Sequence, residues 1–217
     1  MNGVSLRAGI KRAIDIIGSI VGLVVFAPVM AVAAVAIKVR MGSPILFKQT
    51  RPGLRAEPFE IIKFRTMRSM REDESVFGND PDRVTPLGCI LRRLSIDELP
   101  ELINVLRGDM SLVGPRPLLV EYLPKYTPDE ARRHEMRPGL TGLAQVNGGE
   151  RLRFSEKLRL DVWYIDNWSL RLDARILLKT VGALVRPTAV VANVDEIDDI
   201  GLAPDRERPD RERPDPY

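Results

Sequence analysis

The stretch that decides the fold is SIDELPELINVL, at positions 95–106. It begins with two adjacent carboxylates, Asp97 and Glu98, and continues with leucine and isoleucine at helical spacing. Pro100 fits only the first turn of a helix, where the N–H that it lacks would have no partner within the helix. The stretch therefore predicts a helix that begins near Ser95, with both acids at its positive end.

The placement of the two acids favours a chemical role. Ser95 and Glu98 have the spacing of a capping box, and the helix dipole keeps a carboxylate at this end ionised. One acid of such a pair can serve as an oxygen nucleophile while the other binds a metal ion. The alternative left open is that both acids only cap the helix, since acids are common in first turns.

Composition limits the class of protein. The 217 residues suffice for one domain with a sizeable core. With 33 Lys and Arg against 30 Asp and Glu, the net charge is only +3, which does not favour nucleic acid as a partner. A single cysteine, Cys89, excludes an internal disulfide, and a single histidine, His134, excludes a His/Cys metal cluster. A bound metal would then need carboxylates, which favours Mg²⁺.

An uncharged segment from Ile16 to Ile37 is long enough to cross a bilayer. It is compatible with a cleaved signal peptide, a simple transmembrane helix or a re-entrant hairpin that enters and leaves by the same face. Pro28, near the middle, predicts a kink. Basic residues flank both ends, and basic flanks tend to stay cytoplasmic. These features together favour the re-entrant hairpin.

Two short strands are predicted after this segment, at 45–47 and 59–67. In the second strand, Lys63 and Arg65 alternate onto the same face. Two cations on one face suit phosphate oxygens, although a solvated edge strand would show the same pattern. The polar stretch 69–86 is predicted to be a surface loop, of the kind that can close over a substrate.

Further arginines lie near the acids or in stiff loops. Arg92 shortly precedes the carboxylate pair, where it could hold an anionic substrate or simply neutralise the acids. Arg116 is bracketed by two prolines, so its guanidinium has a fixed position that suits phosphate; a structural salt bridge is the alternative. Arg137 opens a tight, glycine-containing loop.

The C-terminal half is predicted to contain a short strand at 143–146 and helices at 155–166 and 173–185. The second helix suits either core packing or a lipid headgroup layer. His134 is interpreted as a surface residue. The predicted fold is α/β, mainly helical with short strands. Its parts are a membrane-embedded re-entrant helix (1–41), a cytoplasmic catalytic domain (42–190) and a charged, disordered tail (191–217).

Taken in order, these segments resemble the bacterial sugar transferase family, especially its small, monotopic, PglC-like phosphoglycosyl transferases. The resemblance runs from about Lys11 to about Arg186. Each motif alone is weak, and the whole set in this order is highly specific. The motifs are Lys11-Arg12 with Asp15, Gly42-Ser43-Pro44 with Phe47, Gln49, Arg51 and Gly53, Lys63-Phe64-Arg65-Thr66-Met67, Asp97-Glu98-Leu99-Pro100, Asn104-Val105-Leu106, Gly108-Asp109-Met110-Ser111, Gly114-Pro115-Arg116-Pro117, Arg137-Pro138-Gly139-Leu140-Thr141-Gly142, and Asp161 with Tyr164.

The resemblance implies transfer of a sugar-1-phosphate from a nucleoside diphosphate sugar, expected to be a UDP-sugar, to a polyprenyl phosphate, with release of a nucleoside monophosphate. It implies Asp97 as the nucleophile and Mg²⁺ as the cofactor, bound by Glu98 and Asp97. The residues expected to bind substrate phosphate are Lys63, Arg65, Arg92, Arg116, Arg137 and Arg151.

The resemblance also implies a location. The N-terminal helix is expected to be monotopic, kinked at Pro28 and embedded from the cytoplasmic face of the bacterial inner membrane, with amphipathic helices lying at the lipid interface. Such enzymes begin the assembly of exopolysaccharide, O-antigen or glycoprotein glycans. Membrane lipids are therefore expected partners, and the sequence leaves open whether the chain forms a homo-oligomer.

Two positions depart from the family pattern. Ala27 precedes Pro28, where family members often have a serine whose hydroxyl could bond the freed backbone carbonyl. Gly149 lies where the PglC-like pattern has a phosphate-binding arginine, so Arg151 or Arg153 is expected to take that role.

The alternative function is a non-catalytic, membrane-anchored interaction protein of a polysaccharide assembly system. It would explain the anchor and the charged tail. It would leave the adjacent acids and the stiff loop around Arg116 without a purpose.

Overall fold

The computed structural model describes residues 3–68 and 83–185, which are mostly helical with short strands, as the sequence predicts. The predicted tail and most of the predicted 69–86 loop lie outside the described residues. The helices are α1 (Gly3–Met41), α2 (Pro86–Arg93), α3 (Glu101–Arg107), α4 (Pro128–Ala131), α5 (Leu143–Val146), α6 (Phe154–Asp166) and α7 (Leu170–Val185). The strands are β1 (Leu46–Pro52), β2 (Pro58–Phe64), β3 (Ser111–Val113) and β4 (Gly139–Thr141). Short 3-10 helices lie at Leu54–Ala56, Ile96–Glu98, Val120–Lys125, Arg132–Glu135 and Gly149–Arg151.

Helix α1 has 39 residues and contains Pro28. Within the described ranges it is the one helix that is long and apolar enough to cross a membrane. Only 11% of its most apolar window is buried, and Val24 and Val32 are exposed. A helix in the core of a soluble domain would instead bury most of such a window. The composition and exposure of α1 are therefore those of a membrane-anchoring helix.

The N-terminal part of α1 is bound to the end of α3 and to β3. Arg12 donates hydrogen bonds to the carbonyls of Val105 and Leu106 at 2.6 and 2.8 Å. These carbonyls belong to the last turn of α3, where a cation also complements the helix dipole. Asp15 Oδ1 accepts a hydrogen bond from Ser111 Oγ at 3.0 Å. These contacts hold α1 close to the helix that follows the acid pair.

A buried polar network connects α1 to α7. Lys11 Nζ lies 2.7 Å from Asp173 Oδ2 and donates to the Val113 carbonyl at 3.0 Å. The other donors to the Asp173 carboxylate are the hydroxyl of Tyr164, at 2.7 Å, and the indole N–H of Trp168, at 3.2 Å. Because a buried charge needs such partners, this network fixes α1 relative to the C-terminal helices.

The C-terminal part of α1 packs on different elements. Ala33 and Ile37 are buried in one cluster with Phe64 of β2 and Leu91 of α2. The guanidinium of Arg65 donates to carbonyls at and just beyond the end of α1. Both the N-terminal and the C-terminal parts of α1 therefore contact the rest of the protein, while residues 24–29, around Pro28, are exposed.

Strands β1 and β2 form an antiparallel hairpin that covers α3. Ile61 packs on Val105 of α3 and on Met110. The amide of Asn104 accepts a hydrogen bond from the Ile62 N–H at 3.0 Å and donates to the Glu60 carbonyl at 2.7 Å. The Asn104 side chain makes the backbone hydrogen bonds that a neighbouring strand would make. It thereby fixes α3 against the edge of β2.

Strands β3 and β4 form a parallel pair next to the stiff loop around Arg116. A Cβ on Gly139 would lie 2.1 Å from the Gly114 nitrogen, so only glycine allows this close approach of the two backbones. The predicted strand at 143–146 is wrong, since these residues form the single-turn helix α5. A four-residue apolar run does not distinguish a strand from a buried helical turn. The two predicted C-terminal helices are confirmed as α6 and α7.

Candidate active site

The helix predicted to begin near Ser95 is divided in the structure. Ile96–Glu98 forms a 3-10 turn, and α3 begins only at Glu101, after Pro100. Ser95 adopts a left-handed conformation with φ 53° and makes no capping hydrogen bond. The predicted capping box is therefore wrong. The carboxylate of Glu98 is not bound to the backbone of Ser95, because it faces two cations instead.

Glu98 is the centre of an ion cluster. Lys63 Nζ lies 2.9 Å from Glu98 Oε1, and Arg116 Nη2 lies 2.6 Å from the same oxygen. Burial raises the pKa of Glu98, but the charges and hydrogen bonds of Arg116 and Lys63 outweigh burial and hold the pKa well below its usual range. Glu98 is therefore ionised at neutral pH and shared between two cations.

Asp97 lies beside this cluster and is only 8% exposed. Burial and the neighbouring charge of Glu98 raise the pKa of Asp97, whereas Lys63, Arg92 and Arg116 act in the opposite direction. The net shift is upward. Arg92 is positioned by a hydrogen bond from Nε to the Thr66 hydroxyl, at 3.0 Å. The two adjacent acids thus have opposite pKa shifts, which is common where two carboxyl groups have different tasks.

A third carboxylate, Glu101, belongs to the cluster and is missed by the sequence prediction. It is 2% exposed, and its Oε1 lies 2.9 Å from Lys63 Nζ. Burial and the charge of Glu98 raise the pKa of Glu101 to about 7. Its spacing of three residues from Glu98 is the signal that could have found it, since such residues are neighbours along a helix.

Arg51 on β1 is the second residue that the prediction of the site leaves out, although it belongs to the motifs that resemble the family. Its Nη2 donates to Gln49 Oε1 at 2.7 Å, and its Nε is buried without a hydrogen-bond partner. Burial and the charge of Arg116 lower the pKa of Arg51 to about 10. With this pKa the Arg51 guanidinium remains charged at neutral pH, so it adds positive charge near Arg116.

Three of the predicted phosphate-binding arginines lie in other surroundings. Arg65 binds carbonyls at the end of α1, as helix ends leave carbonyls unpaired. Arg137 Nε donates at 2.8 Å to the carbonyl of Gly108, which follows the last turn of α3. Arg151 is exposed in a 3-10 turn. The described contacts bring none of the three to the carboxylates, and their role in binding substrate phosphate stays a prediction.

A buried ion pair, Arg133 with Asp161, fixes the backbone of Arg116. Arg133 Nη2 donates to the Arg116 carbonyl at 2.7 Å and to Asp161 Oδ2 at 2.6 Å. Arg133 also donates to the hydroxyl of Tyr126 at 3.3 Å, and it is 2% exposed. Asp161 lies on α6, so the C-terminal helices determine where the loop presents its guanidinium.

His134 is a buried residue, and the prediction that it lies on the surface is wrong. It is 8% exposed, and its ring centroid lies 5.8 Å from that of Tyr126. Burial and the charge of Arg133 lower the pKa of His134 to about 4, so it is neutral at pH 7. Local patterns did not predict this burial, because the turn that packs on Arg132–Glu135 is the distant one at Leu54–Ala56.

Together, the long exposed apolar helix and the cluster define a membrane-associated protein with a polar site in which adjacent carboxylates meet lysine and arginine. The chain belongs to the bacterial sugar transferase family, whose model matches residues 6–187. The family predicted from the sequence motifs is thereby confirmed.

Several relatives are similar over most of this chain. The uncharacterized sugar transferase EpsL of Bacillus subtilis (strain 168) is 49% identical over 172 residues, covering 79% of this chain and 85% of that protein. A UDP-glucose:undecaprenyl-phosphate glucose-1-phosphate transferase of Caulobacter vibrioides is 46% identical over 187 residues, covering 81% and 69%. An Escherichia coli (strain K12) protein of the same name is 41% identical over 183 residues, covering 79% of this chain but only 39% of that longer protein.

Proposed function

We propose that this chain transfers a sugar-1-phosphate from a UDP-sugar to undecaprenyl phosphate or a similar polyprenyl phosphate and releases UMP. The observation that carries the proposal is the ionised carboxylate of Glu98, bound by Lys63 and Arg116 and adjacent to Asp97. The relatives named as UDP-glucose:undecaprenyl-phosphate glucose-1-phosphate transferases support the same class of reaction.

Asp97 and Glu98 have different roles in the proposed mechanism. An Asp97 oxygen attacks the sugar-bearing phosphorus, the bond from that phosphorus to the bridging oxygen breaks, and UMP leaves with the electron pair. An oxygen of the polyprenyl phosphate then attacks the same phosphorus and releases the Asp97 carboxylate. Glu98 is a poorer nucleophile, because two cations bind its Oε1. Both steps bring an anion to a phosphate, and Lys63 and Arg116 supply the screening that this requires.

Magnesium is the proposed cofactor, and the donors present fit it. Mg²⁺ prefers carboxylate oxygens and commonly takes one or two from the protein, completing its shell with water and substrate phosphates. In the described part of the chain, no three His, Cys, Asp or Glu side chains are placed to hold one metal ion, so Asp97 and Glu98 would act with the substrate. Both cations bind Oε1 of Glu98, which leaves Oε2 as the oxygen to face the metal. Bound there, Mg²⁺ would neutralise phosphate charge.

The proposed topology is a re-entrant, monotopic helix at the cytoplasmic face. A straight helix as long as α1 would measure about 58 Å, roughly twice the 30 Å hydrocarbon core. A helix that crosses the bilayer has its two ends on opposite sides, where one domain cannot contact both. The contacts of Lys11 near one end and of Ile37 near the other therefore support re-entry, with the exposed Pro28 region inserted in lipid.

Two further helices are suited to the lipid interface. Helix α2 packs beside the C-terminal part of α1 through Leu91, while Ile90 and Leu94 are 55% and 50% exposed. Helix α7 buries Ile176 and exposes Leu178. Apolar side chains exposed next to a membrane helix gain burial in the headgroup layer. The site would then lie at the depth of the acceptor phosphate.

Turnover tests the proposal and separates it from a non-catalytic interaction protein. Purified protein in detergent is given undecaprenyl phosphate and Mg²⁺ with a panel of UDP-sugars, and UMP is measured. We expect UMP release with at least one sugar and formation of a lipid-linked product. Absence of UMP release with every sugar in the panel would favour the interaction protein.

A further inference from the structure

Arg51 projects from the same face of the hairpin as Lys63. In the register of β1 and β2, Arg51 is paired with Phe59 and Lys63 with Phe47. Side chains directly opposite across antiparallel strands share a face, and alternation along β2 puts Phe59 and Lys63 on the same side. Ile61 lies between them and packs on α3. Arg51 and Lys63 thus flank the same helix, which starts beside the acid pair.

Arg51 has hydrogen-bonding capacity that the protein does not use. Its Nε is buried and has no hydrogen-bond partner, whereas Nη2 is held by Gln49 at 2.7 Å. A buried donor without an acceptor is costly, and a guanidinium fork is suited to two phosphate oxygens. Burial and the nearby charge of Arg116 lower the pKa of Arg51, with Glu121 and Glu101 acting in the opposite direction. A bound anion between Arg51 and Arg116 would reduce the repulsion between their positive charges.

Arg116 connects the acid pair to the strand that carries Arg51. Its Nη2 lies 2.6 Å from Glu98 Oε1, next to Asp97, and Arg116 lines one cleft with Pro52, the neighbour of Arg51. The order across the site is therefore Asp97, Arg116, Arg51.

The in-line geometry of the reaction indicates where the departing nucleotide lies. In phosphoryl transfer the attacking and leaving oxygens lie roughly in line on opposite sides of the phosphorus. With Asp97 attacking, the departing nucleotide lies on the far side, towards the arginines. We propose that Arg51 and Arg116 form the subsite that binds the phosphate of the departing nucleoside monophosphate. This inference rests on the proposed function and assigns the nucleotide phosphate to Arg51 as its ligand.

Binding of UMP and of uridine tests the subsite without turnover. The full chain in detergent is titrated calorimetrically with each ligand, as wild type, Arg51→Ala and Arg51→Lys. Loss of a charge-assisted phosphate contact should weaken UMP about 10- to 100-fold in Arg51→Ala, while uridine binding is unchanged. Arg51→Lys keeps the charge but loses the fork, so its UMP affinity should lie between the two.

Lys48→Ala is the matched control, because Lys48 is on the same strand and its exposed ion pair with Glu60 lies on the opposite face. We expect it to bind UMP as the wild type does. Folded Arg51 variants with wild-type UMP affinity would overturn the subsite. So would a rise in KM for the polyprenyl phosphate with no change in KM for the UDP-sugar. Absence of UMP release by the wild type with every UDP-sugar would instead reject the proposed function itself.

Discussion

Arg116 and Glu98 are 18 residues apart in sequence, and Arg116 Nη2 lies 2.6 Å from Glu98 Oε1. The contact joins the stiff loop after β3 to the 3-10 turn that contains both acids. It explains why two adjacent carboxyl groups differ: Glu98 is bound directly by cations and has a lowered pKa, whereas burial raises the pKa of Asp97. In the proposed mechanism, this difference separates the nucleophile from the carboxylate that cations bind.

The pH dependence of activity should reflect the raised pKa of Asp97. Because only the carboxylate attacks phosphorus, activity should fall on the acid side at a pH above the usual range of an aspartate, which is about 3.9. The measurement is kcat/KM against pH. Glu98→Gln removes a neighbouring negative charge, so its residual activity should fall at lower pH than in the wild type. An acid limb that does not move in Glu98→Gln would argue against this coupling.

Glu101 should make stability depend on pH. Its pKa is about 7 in the folded protein and near 4.5 in the unfolded chain, so the folded state keeps a proton that the unfolded state has lost between these values. The free energy of unfolding contributed by Glu101 therefore falls as pH rises from about 4.5 to about 7 and is level above. Tm measured at pH 5 and pH 8 should differ less in Glu101→Gln than in the wild type. The exposed Glu57→Gln control should keep the wild-type difference.

Breaking the Arg133–Asp161 pair should destabilise the protein and displace Arg116. Asp161→Asn leaves a buried guanidinium without its anion, which costs about 3–5 kcal/mol. Tm should fall and UMP release should be lost with it. The double variant Arg133→Met/Asp161→Leu removes both charges and should recover much of the Tm, because an apolar pair can replace a buried ion pair. It should not recover activity, since the Arg116 carbonyl has lost its donor. Full activity in the stable double variant would contradict the positioning role.

Single-cysteine labelling tests re-entry. In a Cys89→Ser background, cysteines are placed at the exposed positions Arg7 and Arg40, on either side of the apolar segment. A membrane-impermeant maleimide added to intact spheroplasts should label neither position, and both should react after lysis. Labelling of exactly one of them in intact spheroplasts would show a helix that crosses the membrane.

Local patterns predicted much of the fold but only part of the site. Apolar periodicity located α1, α6 and α7, and the alternation in 59–67 located β2. The same alternation predicted Lys63 and Arg65 on one strand face, but β2 ends at Phe64 and the Arg65 guanidinium donates to carbonyls at the end of α1. Lys63 instead shares its face of the hairpin with Arg51 of the other strand. This placement depends on the register across the hairpin, which the sequence of one strand does not reveal.

The environment of the acids depends equally on distant residues. The spacing of Ser95 and Glu98 matched a capping box, but Glu98 makes stronger contacts with Lys63 and Arg116, which come from elsewhere in the chain. A charged hydrogen bond is worth more than a neutral cap, so tertiary contacts overrode the local motif. The burial of His134 was missed because the residues that cover it also come from distant parts of the chain.

The most direct test of the central claim is the mass of the protein after incubation with a UDP-sugar and Mg²⁺ but no acceptor lipid. The wild type should gain the mass of one sugar phosphate and lose it when polyprenyl phosphate is added. Asp97→Asn should stay unmodified and still fractionate with membranes, whereas the exposed Glu57→Gln control should gain the adduct. An adduct or sustained turnover in Asp97→Asn would contradict the assignment of Asp97 as the nucleophile.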